Sequence, residues 1–501
     1  MRRAKIVCTL GPVTASKDQI RALVEAGMDV ARLNLSHGDY AAHEQVYRYV
    51  REASDELGRA VGILVDLQGP QIRTGRFAQG PVVLHVGDEF TITTDDILGD
   101  QERVSTTFTG LPGDVSPGDL ILIDDGKVTL RATSVSQTDV VTEVVEGGFI
   151  SNNKGINLPG VAVSVPALSE KDREDLRWAL RLRADVVALS FVRSAADIAD
   201  VHAIMDEVGL GRLPVVAKIE KPQAVDNLED IVVAFDGIMV ARGDLGVELP
   251  LEQVPLVQKV AVEIARRNAK PVIVATQVLD SMIEASRPTR AETSDCANAV
   301  LDGADAIMLS GETSMGKWPV ESVRTMARII ENTEDHGLSR IASIGTAVRT
   351  IGGAVTVAAA EIAELVGAKF MVTFTQTGDS ARRLSRLRSS IPMLAFTPEP
   401  ATRSQLALSW GIETFIVPPV SHTDEMVRQV EEAMLSQRRC VDGDLVVIAA
   451  GSPPGTPGTT NALRVHRIGA ILHPEQVASY LPGTVGQSVP APSGAGGGAR
   501  G

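Results

Sequence analysis

The sequence predicts an α/β protein built on an eight-stranded parallel barrel, with a small β domain inserted in it and a second α/β domain after it. Three observations carry that prediction. Short apolar runs alternate with helical periodicity from residue 4 to 70 and again from 169 to 334, which is the rhythm of a parallel sheet. Eight such runs can be counted, the number that closes a TIM barrel. Between the third and the fourth, residues 71–166 switch to the pattern of strands and turns. A doubly wound open sheet gives the same alternation, but the count of eight favours the barrel.

The elements follow in order. AKIVCTL (4–10), closed by Gly11-Pro12, is the first strand. Residues 17–27 place Ile20, Leu23 and Val24 at helical spacing and stop at Gly27. VARLNLSHG is a second strand ending in polar groups, residues 43–58 are a helix stopped by Gly58, and GILVDLQGP (62–70) is the third strand. Within 71–166, VVLHV, EFTITT, LILIDDGKVTLRATSV and DVVTEVVEGGFI alternate or run β-branched. Asp125-Gly126 is a hairpin signal there, and five or more short strands predict a small barrel or sandwich. Ser169, three residues before Asp172, caps the next helix. ADVVALSF, PVVAKIE, DGIMVAR, PVIVATQ (271–277) and DAIMLSGE (305–312) are strands four to eight, with helices at 251–269 and 319–334. From 345 to 473 the alternation returns as a separate α/β domain. Its helices fall at 352–366, 379–389, 401–410 and 423–437, and its strands at KFMVTFT, PMLAFTP, TFIVP and DLVVIAAG. Residues 474–501, ending in a glycine-rich run, lack a core-forming pattern and predict a disordered tail.

Composition narrows the class. Apolar residues make up 44% and charged residues 22%, ordinary for a globular protein. A net charge of −15 argues against a nucleic-acid-binding surface, though it allows a local basic cleft. Cys8, Cys296 and Cys440 are few, odd in number and far apart, so they predict neither a disulfide framework nor a zinc cluster. A reducing compartment fits that usage. MRRAKIVCTLGP has no long apolar segment and does not read as a signal peptide. No apolar run reaches the length of a membrane span. Together these predict a cytoplasmic protein without a membrane or nucleic-acid partner.

Barrel enzymes carry function at the C-terminal ends of their strands. Here those ends hold Arg32, Asn34, Ser36 and His37 after the second strand, and Asp66 after the third. Lys218 and Glu220 end the fifth, and Arg242, Gly243 and Asp244 the sixth. Thr276 ends the seventh, and Ser310 and Glu312 the eighth. Lys218 and Glu220 are two apart on one strand and point the same way. A structural ion pair accounts for those two, but not for the recurrence of acids, bases and hydroxyls around one rim. Glu220 and Asp244 are hard oxygen ligands without histidine or thiolate, which suits magnesium or manganese rather than zinc. Arg32, Arg73, Lys154 and Lys218 supply positive charge for phosphate. Gly243-Asp244 opens toward a short helical segment whose N–H groups can hold an anion. There is no Walker motif, dinucleotide fingerprint or hydrolase triad order. The residues therefore predict metal-assisted chemistry on a phosphorylated or carboxylated small molecule.

At this point KIVCTLGP, ARLNLSHG, DLQGPQIRTG, NNKGINLPG, AKIE, MVARGDLGVE, ATQVLDSM and RPTRAETSDCANAVLDGADAIMLSGET resemble the pyruvate kinase family, over residues 4–473. The resemblance implies a TIM (β/α)8 barrel with an inserted small β-barrel lid domain and a C-terminal α/β regulatory domain. The barrel would be residues 1–70 and 167–340, the lid 71–166 and the regulatory domain 345–473. It implies transfer of a phosphoryl group from phosphoenolpyruvate to ADP, with Mg2+ (or Mn2+), in a homotetramer. Lys218 resembles the lysine that stabilises the transferring group, and Glu220 and Asp244 the ligands of the divalent cation. Arg32 resembles the arginine on the substrate phosphate. Gly243, Asp244 and Thr276 resemble the group holding the substrate carboxylate, with Thr276 near the proton delivered to the enolate. Asn34, Ser36, His37, Arg73 and Lys154 resemble nucleotide contacts. Asn34, Ser36, Asp66 and Leu67 occupy the K+ site.

Three departures stand out. Potassium-dependent members resemble Thr and Glu where this chain has Leu67 and Gln71, and potassium-independent members usually have Lys in place of Gln71. Gln71 fits neither pattern, and reduced potassium dependence is the expectation. TQTGDSARRLS (375–385) resembles a loop for a phosphorylated effector, with Thr375, Thr377 and Ser380 as hydroxyl donors, although ordinary capping of a helix start reads the same way. Asp379 stands where fructose-bisphosphate-responsive members often have a basic residue, and GSPPGTPGTTN lacks their usual tryptophan and arginine, so another sugar phosphate or AMP is the expected ligand. The third departure is the long tail. Two rivals use the same residues. A lyase or mutase on phosphoenolpyruvate or a 2-oxo acid would not need Arg73, Lys154 and a lid. A non-enzymatic metabolite sensor would not need Lys218, Glu220, Asp244 and Thr276.

Overall fold

The computed structural model describes residues 2–470 except 162, 346, 347 and 457; the tail expected at 474–501 lies outside the described residues. Eight parallel strands close into a barrel. They are Lys5–Thr9, Val30–Asn34, Gly62–Asp66, Val186–Leu189, Val215–Ile219, Gly237–Ala241, Val272–Ala275 and Ala306–Leu309. Each pairs with the next, the third with the fourth across the insertion, and the first with the last in the register Lys5 to Ala306. Their near-continuous apolar runs follow from burial on both faces. Alternation sorts them: Val7, Leu64, Val216, Met239, Ile273 and Met308 fill the interior, while Ile6, Cys8, Ile63 and Val65 face the helices. Ala407 and Leu408 join the interior cluster, so the C-terminal α/β unit plugs the mouth at the strands' starts.

The first helix, Lys17–Ala26, is capped by Ser16 and ends at Gly27. The second begins at Tyr40, three residues before the expected start at 43, because Asp39 caps it and accepts from Ala42 N–H. Helix 251–269 is a 3-10 turn, Leu251–Gln253, followed by Val254–Arg267 with Pro255 in its first turn. Two further barrel helices, Ile198–Val208 and Arg290–Asp302, occupy connections beyond the helices expected from the sequence. The second of these carries a full capping box, Thr289 with Glu292.

The inserted segment holds a six-stranded sheet and a two-stranded pair, with its own core around Phe90, Ile92, Ile121 and Leu130. Leu120–Ile123 and Val128–Val135 form the predicted hairpin, turned by Asp124 and Asp125 in left-handed conformation and by Gly126. The C-terminal sheet runs Ile412–Ile416, Met393–Thr397, Phe370–Phe374, Leu445–Gly451, Thr460–Arg467. The last strand is antiparallel and lacks an apolar signal in the sequence, because TNALRVHR at a sheet edge exposes half of its side chains. The helix expected at 401–410 is a short α-helix, Pro400–Gln405, continued by a 3-10 turn, Leu406–Leu408, and the helix expected at 379–389 stops at Ser385. Among the described residues no helix is long and apolar enough to cross a membrane.

Ser169 caps helix Glu170–Leu182 through a complete capping box with Asp172, and Asp172 also accepts from Gly69 N–H at 3.0 Å. Losing an N-cap hydroxyl costs about 1 kcal/mol. Ser169→Ala is expected to lower the denaturant midpoint by that equivalent while the turnover stays intact.

Candidate active site

The rim is held by charges that end adjacent strands. Asn34 and Asp66 are register partners on the second and third strands. Arg32 reaches Asp66 Oδ2 through Nε at 2.7 Å and Nη2 at 2.7 Å, and Thr9 Oγ1 through Nη1 at 2.9 Å. From the fifth strand, Lys218 Nζ lies 2.8 Å from Glu220 Oε1 and 3.4 Å from Asp66 Oδ1. It also donates to Ser190 Oγ at 2.8 Å. Lys218 and Glu220 thus share one face, as their spacing predicts. Burial opposes the ammonium, but the carboxylates of Asp66 and Glu220 outweigh it and hold the Lys218 pKa well above a lysine's ordinary value. Burial likewise opposes the Asp66 carboxylate, and Lys218 and Arg32 outweigh it, leaving its pKa lowered. Lys218 is therefore a fixed charge, not a proton carrier.

Glu220 is fixed at its other oxygen by Phe191 N–H at 2.7 Å. Phe191 has a φ of 55° and sits against Gly69. A Cβ on Gly69 would come within 2.7 Å of Phe191 and Ser190, and its φ is +75°, so glycine is required there. Asp244 follows the sixth strand in helix Arg242–Glu248. Burial and the neighbouring Glu220 carboxylate push its pKa up to about 7, against the pull of Lys218. Two carboxylates that repel each other in a partly dry site are the chemistry a divalent cation relieves. Among the described residues no group of three or more His, Cys, Asp and Glu is placed to hold a metal. Two acids with substrate oxygens completing the shell is the pattern magnesium accepts.

The loop after the seventh strand is strained. Thr276 and Gln277 have φ of 67° and 53°, rare for a β-branched residue and costing of order 1–3 kcal/mol. Arg242 braces it. Its guanidinium spans both oxygens of Asp295 at 2.8 Å and donates to the carbonyls of Thr276 at 2.9 Å and Gln277 at 3.2 Å. The strain sets Thr276 Oγ1 2.7 Å from Gly243 N–H. A Cβ on Gly243 would lie 3.3 Å from that hydroxyl. Thr276, Gly243 and Asp244 are thereby one cluster. Glu312 has another use: it accepts from the N–H groups of Ser310 at 2.7 Å and Leu279 at 3.1 Å, a brace within the rim.

A cleft of about 570 Å³ opens between the inserted sheet and the barrel. Arg73, Lys154, Gln71 and Asp244 line it, as does Lys221. Lys154 pairs with Asp124 at 2.9 Å. Arg73 donates to the Asn153 carbonyl at 2.9 Å and to Gln71 Oε1. Asn34, Ser36 and His37 are not among its lining residues. They follow the second strand, with Ser36 N–H on Asn34 Oδ1 at 3.2 Å and His43 Nε2 against the His37 carbonyl at 2.8 Å. Leu67 presents its carbonyl to Ser190 Oγ at 2.7 Å, and Asp66 Oδ1 is buried without a hydrogen-bond donor. In the C-terminal unit, Thr375, Thr377 and Ser380 line a separate small pocket with Thr456, Thr459 and Thr460. Ser380 and Thr460 bond each other through their hydroxyls, so the TQTGDS and GTPGTT loops meet.

Ser190, Phe191, Thr9 and Asp295 escaped the sequence reading. Thr9 and Ser190 end strands like the residues singled out, and that position was the available signal. Phe191 acts through its backbone, and Asp295 lies mid-helix, so neither carried one.

Fold and rim together define the class: a (β/α)8-barrel enzyme handling a small anionic substrate with charge fixed by the protein. Residues 1–323 match the family described as pyruvate kinase, barrel domain, and residues 353–466 the one described as pyruvate kinase, alpha/beta domain. The chain belongs to the pyruvate kinase family. It is 62% identical to the pyruvate kinase of Mycobacterium intracellulare over 93% of this chain and 99% of that one. It is 60% identical to that of Corynebacterium efficiens over 93% and 98%. A crystal structure of a pyruvate kinase from Cryptosporidium parvum superposes with a TM-score of 0.88 at 35% identity, covering 93% of this chain and 96% of that one.

Ser190→Ala removes a donor from the Leu67 carbonyl and an acceptor from Lys218. A buried hydrogen bond to a charged group is worth about 1.5–3 kcal/mol. kcat is expected to fall about tenfold or more with a smaller change in KM, measured by steady-state kinetics.

Proposed function

We propose that this chain transfers the phosphoryl group of phosphoenolpyruvate to ADP, giving pyruvate and ATP, at the rim described above. The observation that carries the reading is Lys218, held protonated among Asp66, Glu220 and Ser190 at the end of the fifth strand. Phosphoryl transfer needs negative charge neutralised on equatorial oxygens and the reactants held in line. Lys218 supplies one fixed positive charge to the transferring group, and Arg32, locked by Asp66 and Thr9, supplies another to the substrate phosphate. The N–H groups of Gly243 and Asp244, with the Thr276 hydroxyl, hold the carboxylate, and Thr276 Oγ1 stands beside the proton path to the enolate. Arg73 and Lys154 exchange Gln71 and Asp124 for nucleotide phosphates in the cleft, while Asn34, Ser36 and His37, which do not line it, would reach the nucleotide from the end of the second strand. The inserted segment, 71–166, closes over the barrel (1–70 and 167–340) and keeps water from the phosphoryl group.

Glu220 and Asp244 would hold Mg2+ or Mn2+. When bound, the divalent ion lends Lewis-acid polarisation to the phosphoryl and enolate oxygens. A K+ ion would take Asp66 Oδ1, Asn34, Ser36 and the Leu67 carbonyl. Asp66 Oδ1, buried, without a hydrogen bond and 3.4 Å from Lys218 Nζ, has lone pairs left for that use. Reduced dependence on K+ remains the proposal, and it rests on Leu67 and Gln71. A phosphorylated effector would bind the Thr375, Thr377 and Ser380 pocket of the unit at 345–473. The assembly is proposed to be a cytoplasmic homotetramer. The lyase or mutase reading draws no support from relatives named pyruvate kinase.

Lys218→Met is expected to lower kcat by ~10³-fold or more. It also takes the ammonium from the buried Glu220 carboxylate and leaves Asp66 only Arg32, which costs up to about 3–5 kcal/mol of stability, so circular dichroism and metal binding should accompany the assay. Near-normal turnover by a folded variant would sink the role. In a sodium- and potassium-free assay, K+ is expected to raise the rate only modestly, and a steep gain would overturn the reduced dependence.

A further inference from the structure

The helix after the sixth strand carries a second acid. Glu248 lies four residues beyond Asp244 in Arg242–Glu248, so the two carboxylates share one face of that helix. Asp244 lines the cleft. Glu248 is 6% exposed, and the phosphoryl transfer described above makes no use of it. Two donors from different parts of the chain meet at one of its oxygens. Lys221 Nζ, from the residue directly after Glu220, pairs with Glu248 Oε1. Asn157 Nδ2, from the inserted segment, donates to the same oxygen at 3.2 Å. Lys221 is steadied on its other side by the Phe191 ring, whose centroid lies 5.5 Å from the ammonium.

A buried ion pair between two barrel loops is ordinary architecture, and Lys221 with Glu248 alone is no more than that. Asn157 adds something else. It sits on the short strand Ile156–Asn157, in register with Leu122 of the hairpin, and so belongs to the inserted sheet. Among the described residues, the other hydrogen bonds between that segment and the barrel fall on its two linkers. Gln71 meets Gly69 and Gln68 at the first, and Arg193 donates to the carbonyls of Val163 and Val165 at the second. A unit with its own core on two linkers tilts freely unless something on the barrel holds it. Asn157 and Lys221 both line the cleft, so the contact is part of its wall, and making or breaking it changes the cleft's width.

We propose that Glu248 is a positioning residue for the nucleotide half of the reaction: its carboxylate, oriented by Lys221, latches Asn157 and seats the inserted segment over the cleft. The inference rests on the reading of this chain as a phosphoryl donor to ADP, in which Arg73 and Lys154 of the segment hold nucleotide phosphates while the groups on phosphoenolpyruvate belong to the barrel. A carboxylate acceptor makes the latch a stronger hydrogen bond than a neutral pair. Breaking it leaves every phosphoenolpyruvate contact in place and lowers the fraction of molecules whose segment is seated. Apparent nucleotide affinity falls with that fraction.

The test starts from Asn157→Ala in the full chain; Asn157 is half-buried and outside the segment's apolar core, so its truncation leaves that core intact. KM for ADP is expected to rise about fivefold or more while KM for phosphoenolpyruvate stays within about twofold, and calorimetric titration with ADP should show the same loss. Asn157→Asp sets a second carboxylate against Glu248 and should lose more. Adding Glu248→Gln to Asn157→Asp exchanges donor and acceptor, and should bring ADP affinity back to within about threefold of the wild type. Hydrogen exchange of the substrate-free chain reads the latch without the reaction: amides at 156–161 should exchange about threefold faster in Asn157→Ala, with the barrel strands unchanged. An unchanged KM for ADP, or an equal rise for both substrates, overturns the proposal. So does a double variant no better than Asn157→Asp, or exchange at 156–161 that does not move. A wild type that forms no ATP from phosphoenolpyruvate and ADP sinks the proposed function, and the exchange result then decides the latch by itself.

Discussion

The rim depends on one buried carboxylate. Asp66 holds Arg32 with one oxygen and faces Lys218 with the other, so a single side chain on the third strand sets the positions of two cations from the second and fifth strands. Two cations and two acids in a dry place are costly unless every member is paired. Here the network balances itself: Arg32 and Lys218 against Asp66 and Glu220, with Thr9 and Ser190 absorbing spare donors. Paired in this way, the cations keep their charge and lose their freedom. A preorganised positive field needs no rearrangement when negative charge develops before it.

The rest of the site is backbone aimed by the same logic. Phe191 and Gly69 give up ordinary backbone conformations so that an N–H reaches Glu220, and Thr276 and Gln277 do so under the clamp of Arg242 and Asp295. The strain is concentrated where strands end and loops turn inward. The sheet below, packed on both faces, is stiff enough to bear it. The barrel is thus the frame, and the departures from regular geometry sit on it.

Much of this was legible in the sequence. Eight apolar runs ending in polar residues disclosed the barrel and its working rim, because burial on both faces forces continuous apolar strands and leaves chemistry to their ends. Lys218 and Glu220 were legible as a pair because strand periodicity is two. The partners of that pair were not. Whether Ser190 or Thr9 meets a cation depends on which strands become neighbours, and Phe191 contributes an atom every residue has. The edge strand Thr460–Arg467 was missed because a strand half in solvent lacks the apolar signal that marked the others. The start of the second helix was misplaced because Asp39, a polar cap, decides it and the apolar spacing does not.

The first strand has a further consequence, for the order in which the molecule can form during synthesis. Thr9 bonds the carbonyl of Leu309, 300 residues on, and Lys5 reaches the Ile412 carbonyl of the C-terminal sheet. A chain emerging from the ribosome therefore exposes its first strand long before its second neighbour exists, and contacts of such separation form slowly. The inserted β segment owns a core and needs no residue beyond about 166 to build it. It can be complete while the barrel around it is still an open, sticky sheet. Vectorial folding of this enzyme should thus begin in the middle of its own catalytic domain, and closure of the barrel, not formation of the β segment, should be the step that chaperones guard.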